Sequence, residues 1–468
     1  MIVQDTNRLQ YIYFSLSAAI ASALLILTYI SLITEANEKL RDDIKTTQLS
    51  MTLIKPMSTA WNYNNTWRSI GHASMKHKIY SAYFDKRTEI IAHPSKNNLI
   101  AIGAIRVFAV LPLKFKEDIS CILRSEDYIL SEVKAEEVKA LREHHDQKYA
   151  AFTIVCPLYK QHVANSKVYL PQAVAIQYKS NSLSHLSPTF ISISYPRDMD
   201  QLFAQSKPAI SVCVGPLQSN YSDVLRIVEF VELYRIMGAT HFYFYNLDCT
   251  PDVQRVLTYY RDKGLADILD WNLRDHIDDL HYSGIVAQYN DCVYRANVVD
   301  NYRYAAIVDF DEILMPLKHN SLFHFLLQCD EGLTSAFIFR NVFFFKRDSD
   351  DRFSVPEKTI NRGLYTQTKV RRNLEILPAY TRSKCIVNTR AIVEMGNHKV
   401  WRAAPGYADN VLHPTVGLLF HYRDKCLNCK AVLSLDYTAR KYGSLIWDRV
   451  DDVCLNVFLN LKGVCPSN

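Results

Sequence analysis

The sequence predicts an α/β protein whose mostly parallel sheet is flanked by helices, preceded by a small β-rich domain and a single amino-terminal transmembrane helix. Three observations predict it. Strand-like and helix-like segments alternate four times between residues 209 and 310; short apolar runs of strand character fill 61–208; and residues 11–33 carry no charge.

The chain of 468 residues is too long for one ordinary core. Its 49% hydrophobic content, with 29 Tyr and 21 Phe, provides ample material to bury and excludes disorder across the bulk. A net charge of +6 is mild and scattered, so no nucleic-acid partner is implied. Eleven cysteines exceed what a reduced cytosolic chain needs, and an odd number leaves one thiol unpaired or shared between chains. Cys426 and Cys429 form a lone CxxC, read as a disulfide or two buried thiols rather than a zinc site.

The uncharged stretch 11–33 is long enough to span a bilayer and longer than a cleavable signal peptide's apolar core. The expected layout is a cytosolic tail at 1–10, an anchor at 11–33, a polar stem at 34–60, a β-rich region at 61–208 and a catalytic domain at 209–468. Glycosylation patterns at Asn64 and Asn220 and the cysteines favour a luminal body, hence a single-pass type II protein facing the Golgi lumen.

In the β-rich region the apolar runs 79–84, 99–111, 150–156 and 168–177 read as strands, and the charged segment 131–145 reads as a helix. His144 and His145 are adjacent and would diverge on that helix, a poor metal pair. Beyond Pro208, 211–215 is a short buried strand. Ser222 or Asp223 caps a helix to Met237 whose charges at Arg226, Glu229, Glu232 and Arg235 recur every third position, with Gly238 at its end. A strand at 241–246 follows. Thr250 and Pro251 start a helix with Val253, Val256, Leu257 and Tyr260 on one face, closed by Gly264. Strand 266–271, helix 283–300 and strand 304–310 complete the pattern. Ligands on such sheets bind at the carboxyl ends of the strands.

At one such end stand Asp309, Asp311 and Glu312. Unpaired buried carboxylates are costly, and in a strand Asp309 and Asp311 would share a face, suited to one cation. Oxygen ligands favour a hard ion, Mn²⁺ or Mg²⁺, whose shell substrate phosphates complete. The bland alternative is an acidic turn capping the next element or paired with Lys and Arg.

The segments 235–246 (RIMGATHFYFYN), 288–292 (QYNDC), 307–316 (IVDFDEILMP), 383–387 (SKCIV), 395–398 (MGNH) and 421–423 (HYR) follow one another in order. Through them residues 209–423 resemble glycosyltransferase family 92, once catalogued as a domain of unknown function. The resemblance implies a GT-A fold, a UDP-sugar donor (UDP-galactose in characterised members), a glycan or glycoprotein acceptor, a divalent metal, inversion at the anomeric carbon and a type II anchor. Under it Asp311 is assigned to the metal, Asp309 to the metal or the donor ribose, and Glu312 to a supporting place behind them. His421 and His398 compete as a nitrogen ligand. Lys384 and Arg423 are diphosphate partners, and Asn246, Asn290 and Asp291 border the nucleotide or sugar. Glu394, Asp350 and Asp351 are candidates for the base that deprotonates the acceptor. The aromatic run 343–345 is either a sugar platform or core.

Two other readings fit parts of this pattern. A non-catalytic carbohydrate-binding membrane protein would keep the fold without transfer, and a two-metal phosphohydrolase would need more clustered ligands than the chain places near Asp309.

Overall fold

The computed structural model describes residues 52–54 and 66–466, apart from 72–75, 92–94, 97–98, 126–127, 160–166, 179–187, 199–201, 203, 274–277, 352–354 and 425–431. The expected anchor, the stem apart from Thr52–Ile54, Asn64 and the CxxC pair lie outside the described residues. Among the described residues no helix is long and apolar enough to cross a membrane. Residues Pro56–Lys160 and Pro171–Asn468 form one unit; in a second, smaller one, Thr52–Ile54 runs parallel to Lys167–Tyr169.

Within the main unit the amino-terminal region is a ten-stranded sheet. Its central strands, Lys78–Asp85, Leu99–Pro112 and Tyr149–Tyr159, pair antiparallel, and their side chains are buried on both faces. Cys121 and Cys156 form a disulfide in this region. The expected helix at 131–145 is absent. Tyr128–Lys134 pairs antiparallel with Ile119–Ser125, and Glu137–Ala140 with Tyr149–Tyr159. Glu, Lys and Ala favour a helix locally, but two waiting strand edges outweigh a preference of a few tenths of a kcal/mol per residue. The run 168–177 is likewise two strands, Lys167–Tyr169 and Ala173–Tyr178.

The second sheet has eleven strands. Its first four are parallel, in the order Ala266–Asp270, Ala239–Asn246, Lys207–Val214, Tyr302–Val308, so the earliest strand is flanked by the second and the fourth. Lys384–Asn388 then runs antiparallel to Tyr302–Val308, and Thr334–Phe345 antiparallel to it in turn. The last residues of Tyr302–Val308 are wholly buried, as a central strand covered on both sides requires.

Helices fall close to expectation. Val224–Ile236 is capped by the Asp223 carboxylate, which accepts from the Arg226 amide at 3.2 Å. Three of its four charged residues, Arg226, Glu229 and Glu232, are buried: Glu229 accepts from the Thr366 amide and hydroxyl at 2.8 and 2.7 Å. Pro251–Asp262 follows, then Ile285–Tyr294, which ends in the π-helical turn Arg295–Val299.

Buried polar hubs join the two sheets. Asp291, on Ile285–Tyr294, accepts from Tyr83 and Tyr245 hydroxyls at 2.6 Å each and from Ser81 at 2.5 Å, with Arg295 at 3.7 Å. Arg87 pairs with Asp85 and donates to the carbonyls of Arg390 and Ile392 at 2.7 Å each.

Candidate active site

The fourth parallel strand stops at Val308, two residues sooner than expected, so Asp309–Asp311 form a turn and do not share a strand face. Two hydrogen bonds close it: the Glu312 amide donates to the Asp309 carbonyl at 3.1 Å, and the Asp309 amide to the Glu312 carboxylate at 2.9 Å. Glu312 therefore shapes the turn from below, while Asp309 turns to Lys384 and Tyr289 and Asp311 to His421.

Sheet register brings His421 to this turn. Glu312–Pro316 pairs antiparallel with Gly417–Arg423, setting Glu312 opposite His421, and the Tyr422 amide donates to the Asp311 carbonyl at 2.8 Å. His421 Nε2 lies 3.4 Å from Asp311 Oδ2, and its Nδ1 lies 3.5 Å from Glu312 Oε1 and 3.1 Å from the Asn341 amide nitrogen. Glu312 is 2% exposed, whereas Asp311 and Asp309 are 35% and 37% exposed, so both aspartates are open to a ligand and Glu312 is not. Burial pushes the Glu312 carboxyl up to about 7, aided by the Asp309 and Asp311 charges and opposed by Lys384 and His421. Burial works against a charged His421, but Asp311 and Glu312 outweigh it and raise its pKa; Asp311 in turn is lowered despite burial, by His421 and Lys346.

Behind the turn sits Lys384, 0% exposed, with its ammonium 3.1 Å from Asp309 Oδ2 and 3.5 Å from Glu312 Oε2. It also donates to Asn397 Oδ1 at 2.7 Å and to the Tyr289 hydroxyl at 3.3 Å. Burial disfavours its charge, yet Asp309 and Glu312 hold its pKa well above the ordinary lysine value. Lys384 is thus a counter-ion inside the protein, where the sequence had it facing a diphosphate. Tyr289 donates to Asp309 Oδ1 at 2.8 Å, so both Asp309 oxygens are engaged. Gly215, just past the first parallel strand, lets the chain pass so close that a Cβ there would strike Asp309 Oδ1.

The remaining candidates separate clearly. Arg423 lies two residues beyond His421 on one strand, its guanidinium 5.2 Å from the Phe343 ring centroid, and its buried Nη1 has no hydrogen-bond partner among the described residues. His398 hydrogen-bonds the Ser383 carbonyl at 3.2 Å, beside Lys384 rather than against Asp311. Asn246 donates to Gln254 at 3.1 Å, at the end of its strand. Asn290 and Asp291 are wholly buried away from the turn: Asn290 bonds the Met395 backbone at 2.7 and 2.9 Å, and Asp291 is the hub between the sheets. Glu394, 1% exposed, binds Lys139 at 3.0 Å and the Arg142 amide at 2.9 Å. Asp350 pairs with Lys369 at 2.7 Å and Asp351 with Arg440 at 3.1 Å. None of the three carboxylates expected as base is thereby brought into the group around Asp311.

Tyr289, Asn341, Asn397 and Gly215 escaped sequence reasoning. A signal existed for Tyr289: it lies three residues before Cys292 on the helix, hence on the same face, and Cys292 is disulfide-bonded to Cys213, at the end of the first strand.

Among the described residues no three His, Cys, Asp or Glu side chains form a ready-made metal cage. Asp311 and His421 nonetheless offer an oxygen and a nitrogen that converge at an accessible edge, and Mg²⁺-type sites are commonly held through one or two protein groups plus substrate phosphates. The donor set fits such an ion. A small pocket beside Asp311 is lined by Arg226, Phe310, Tyr365 and Tyr422. A second cavity, about 600 Å³, is lined by Glu232, Arg235, Lys263 and Arg449 and lies at the opposite, amino-terminal end of the parallel strands.

Parallel strands whose carboxyl ends carry an acidic turn backed by a buried lysine define an α/β protein built to bind a ligand at its strand ends. The chain belongs to glycosyltransferase family 92, whose family model matches residues 209–454. It is similar to the beta-1,4-galactosyltransferase galt-1 of Caenorhabditis elegans, 26% identical over 248 residues, 52% of this chain and 54% of that protein. The chain thus spans about half the length of that curated relative. A match to the apo structure of the bifunctional glycosyltransferase WbbM, at 12% identity over 37% of this chain and 27% of that one, has a TM-score of 0.19 and carries no argument.

Proposed function

We propose that this protein transfers a hexose, galactose, from a UDP-sugar to a glycan acceptor with inversion, on a GT-A type domain that uses a divalent metal. The observation that carries the reading is the convergence of Asp311 and His421 at the accessible lip of the strand-end turn, in a chain of family 92. The name of the Caenorhabditis elegans relative supports galactose as the sugar. A single anchor at 11–33 and a Golgi lumen-facing body belong to the same proposal.

An inverting transfer needs an acceptor hydroxyl deprotonated on one face of the sugar and negative charge stabilised on the other. A divalent ion, Mn²⁺ or Mg²⁺, would be held by Asp311 and His421 and would supply Lewis-acid stabilisation of the leaving diphosphate. The protein's own contribution is positional. Glu312 fixes the turn, Lys384 and Tyr289 hold Asp309 by both oxygens, and Asn341 orients His421 through Nδ1. Arg423 offers its unpartnered Nη1 to a phosphate oxygen.

The deciding experiment incubates the protein with a panel of nucleotide sugars, Mn²⁺ and a glycan array, followed by linkage analysis. Acceptor-dependent UDP release, lost on Asp311→Asn together with metal-dependent protection by UDP, is the expected result. Absence of nucleotide binding, or phosphate-ester hydrolysis without an acceptor, would overturn the proposal.

A further inference from the structure

The amino-terminal sheet sends one loop to the active-site side of the molecule. In this loop, 141–148, Leu141 is anchored to the sheet, its amide donating to the Ala151 carbonyl at 2.8 Å. Glu143, His145 and Asp146 then adopt left-handed backbone, with φ of 65°, 49° and 55°. Non-glycine residues rarely hold such angles unless their surroundings impose them, and such outliers gather at functional sites.

Glu143 is held there by two hydrogen bonds, one from the 395–398 motif and one from Trp401 just beyond it. One carboxylate oxygen accepts from Trp401 Nε1 at 2.7 Å, the other from the Asn397 amide at 3.0 Å. Gly396 is required for this approach, since a Cβ there would collide with both the Glu143 oxygen and the Trp401 indole. Asn397 passes the contact inward, its side-chain oxygen accepting from Lys384 at 2.7 Å. Lys384 grips Asp309 and Glu312, the residues that shape the turn carrying Asp311.

We propose that Glu143 is a positioning residue of the active site, delivered by the β-rich region and acting through Asn397 and Lys384. Its carboxylate pins the 396–398 turn, the turn supplies the oxygen that sets the lysine ammonium, and the ammonium sets Asp309. The catalytic consequence rests on the transferase reading; the mechanical one does not. A neighbouring contact between the same two regions provides the control, because Glu137 binds Arg402 bidentately at 2.7 and 2.9 Å without reaching Lys384.

The test uses the whole chain and four proteins: wild type, Glu143→Ala, Glu143→Gln and Glu137→Gln. Labelling by an amine-reactive ester, mapped by mass spectrometry, reads the Lys384 ammonium directly. Protection in wild type and Glu137→Gln, with labelling accelerated about tenfold in Glu143→Ala, is expected, in line with the effect of removing groups that orient site ligands. Transfer kinetics on the same proteins should show a fall of about tenfold in kcat and in apparent Mn²⁺ affinity for Glu143→Ala alone, with the acceptor KM unchanged, and partial recovery in Glu143→Gln. Equal Lys384 labelling in wild type and Glu143→Ala overturns the relay whatever the activity. Loss of transfer shared equally by Glu137→Gln reduces Glu143 to a packing contact and overturns it too. Wild type without transfer sinks the functional reading instead, while the labelling still decides the relay.

Discussion

Gly215 shows how narrow the tolerances around the acidic turn are. Its missing side chain is the space that Asp309 Oδ1 occupies, beside the Tyr289 hydroxyl. We predict that Gly215→Ala folds with a melting temperature close to wild type but loses metal-dependent UDP protection at least about tenfold, because the displaced Asp309 no longer seats Lys384; circular dichroism and titration with UDP check both halves. Sequence reasoning singled out Asp309, Asp311 and His421 through their motifs; the structure sets His421 3.4 Å from Asp311, while Asp309 turns to Lys384 and Tyr289. It misplaced Asn290 and Asp291 because a motif of consecutive residues on a helix points in several directions at once. Of QYNDC, the tyrosine faces the turn, the asparagine binds the Met395 backbone, and the aspartate faces the amino-terminal sheet. Lys384 was misjudged for another reason: a lone lysine in a strand motif carries no sign of whether its partner is a ligand or a buried carboxylate.

The helix Ile285–Tyr294 has two sides with different duties, and Asp291 is the critical group on the side away from the turn. Removing its carboxylate would take away the negative charge 3.7 Å from Arg295 and leave three buried hydroxyl donors without this acceptor. Asp291→Ala is predicted to destabilise the protein by about 3–5 kcal/mol, measured by urea unfolding, the range expected when one partner of a buried pair is deleted. Strand ends carry a milder device. Asp267, on Ala266–Asp270, meets burial that would raise its pKa, yet the His241 ring and the Arg197 guanidinium bring it down to about 2. A carboxyl lowered on folding stabilises fully above its unfolded value near 3.8 and loses that contribution as pH falls toward 2. Unfolding free energy should therefore drop by about 2 kcal/mol more in wild type than in Asp267→Asn between pH 5 and pH 2, in parallel denaturant titrations.

The four parallel strands and the three helices between them were legible because each is a local hydrophobic period bounded by turn or helix-start residues. Much of the rest is non-local. The segment 131–145 has helical composition, and nothing within it announces that strands at 119–125 and 149–159 offer edges. The expected boundary at 208 marks a change in pattern, while Asp85, Arg87 and Asp291 tie the two sheets across it. Calorimetry of residues 56–468 should accordingly give one cooperative transition spanning both sheets, and a fragment starting at 207 should be recovered only as aggregate; two separable transitions would contradict the buried connections.

Those connections bear on how such a protein can change over generations. Likeness to the family model begins at residue 209, inside a single folded unit. A chimera that kept 209–454 and borrowed a foreign amino-terminal half would inherit Asp291 without Ser81 and Tyr83, and the carbonyls of Arg390 and Ile392 without Arg87. The two halves are therefore heritable only as a matched set, and substitutions on one side of the seam constrain those admissible on the other.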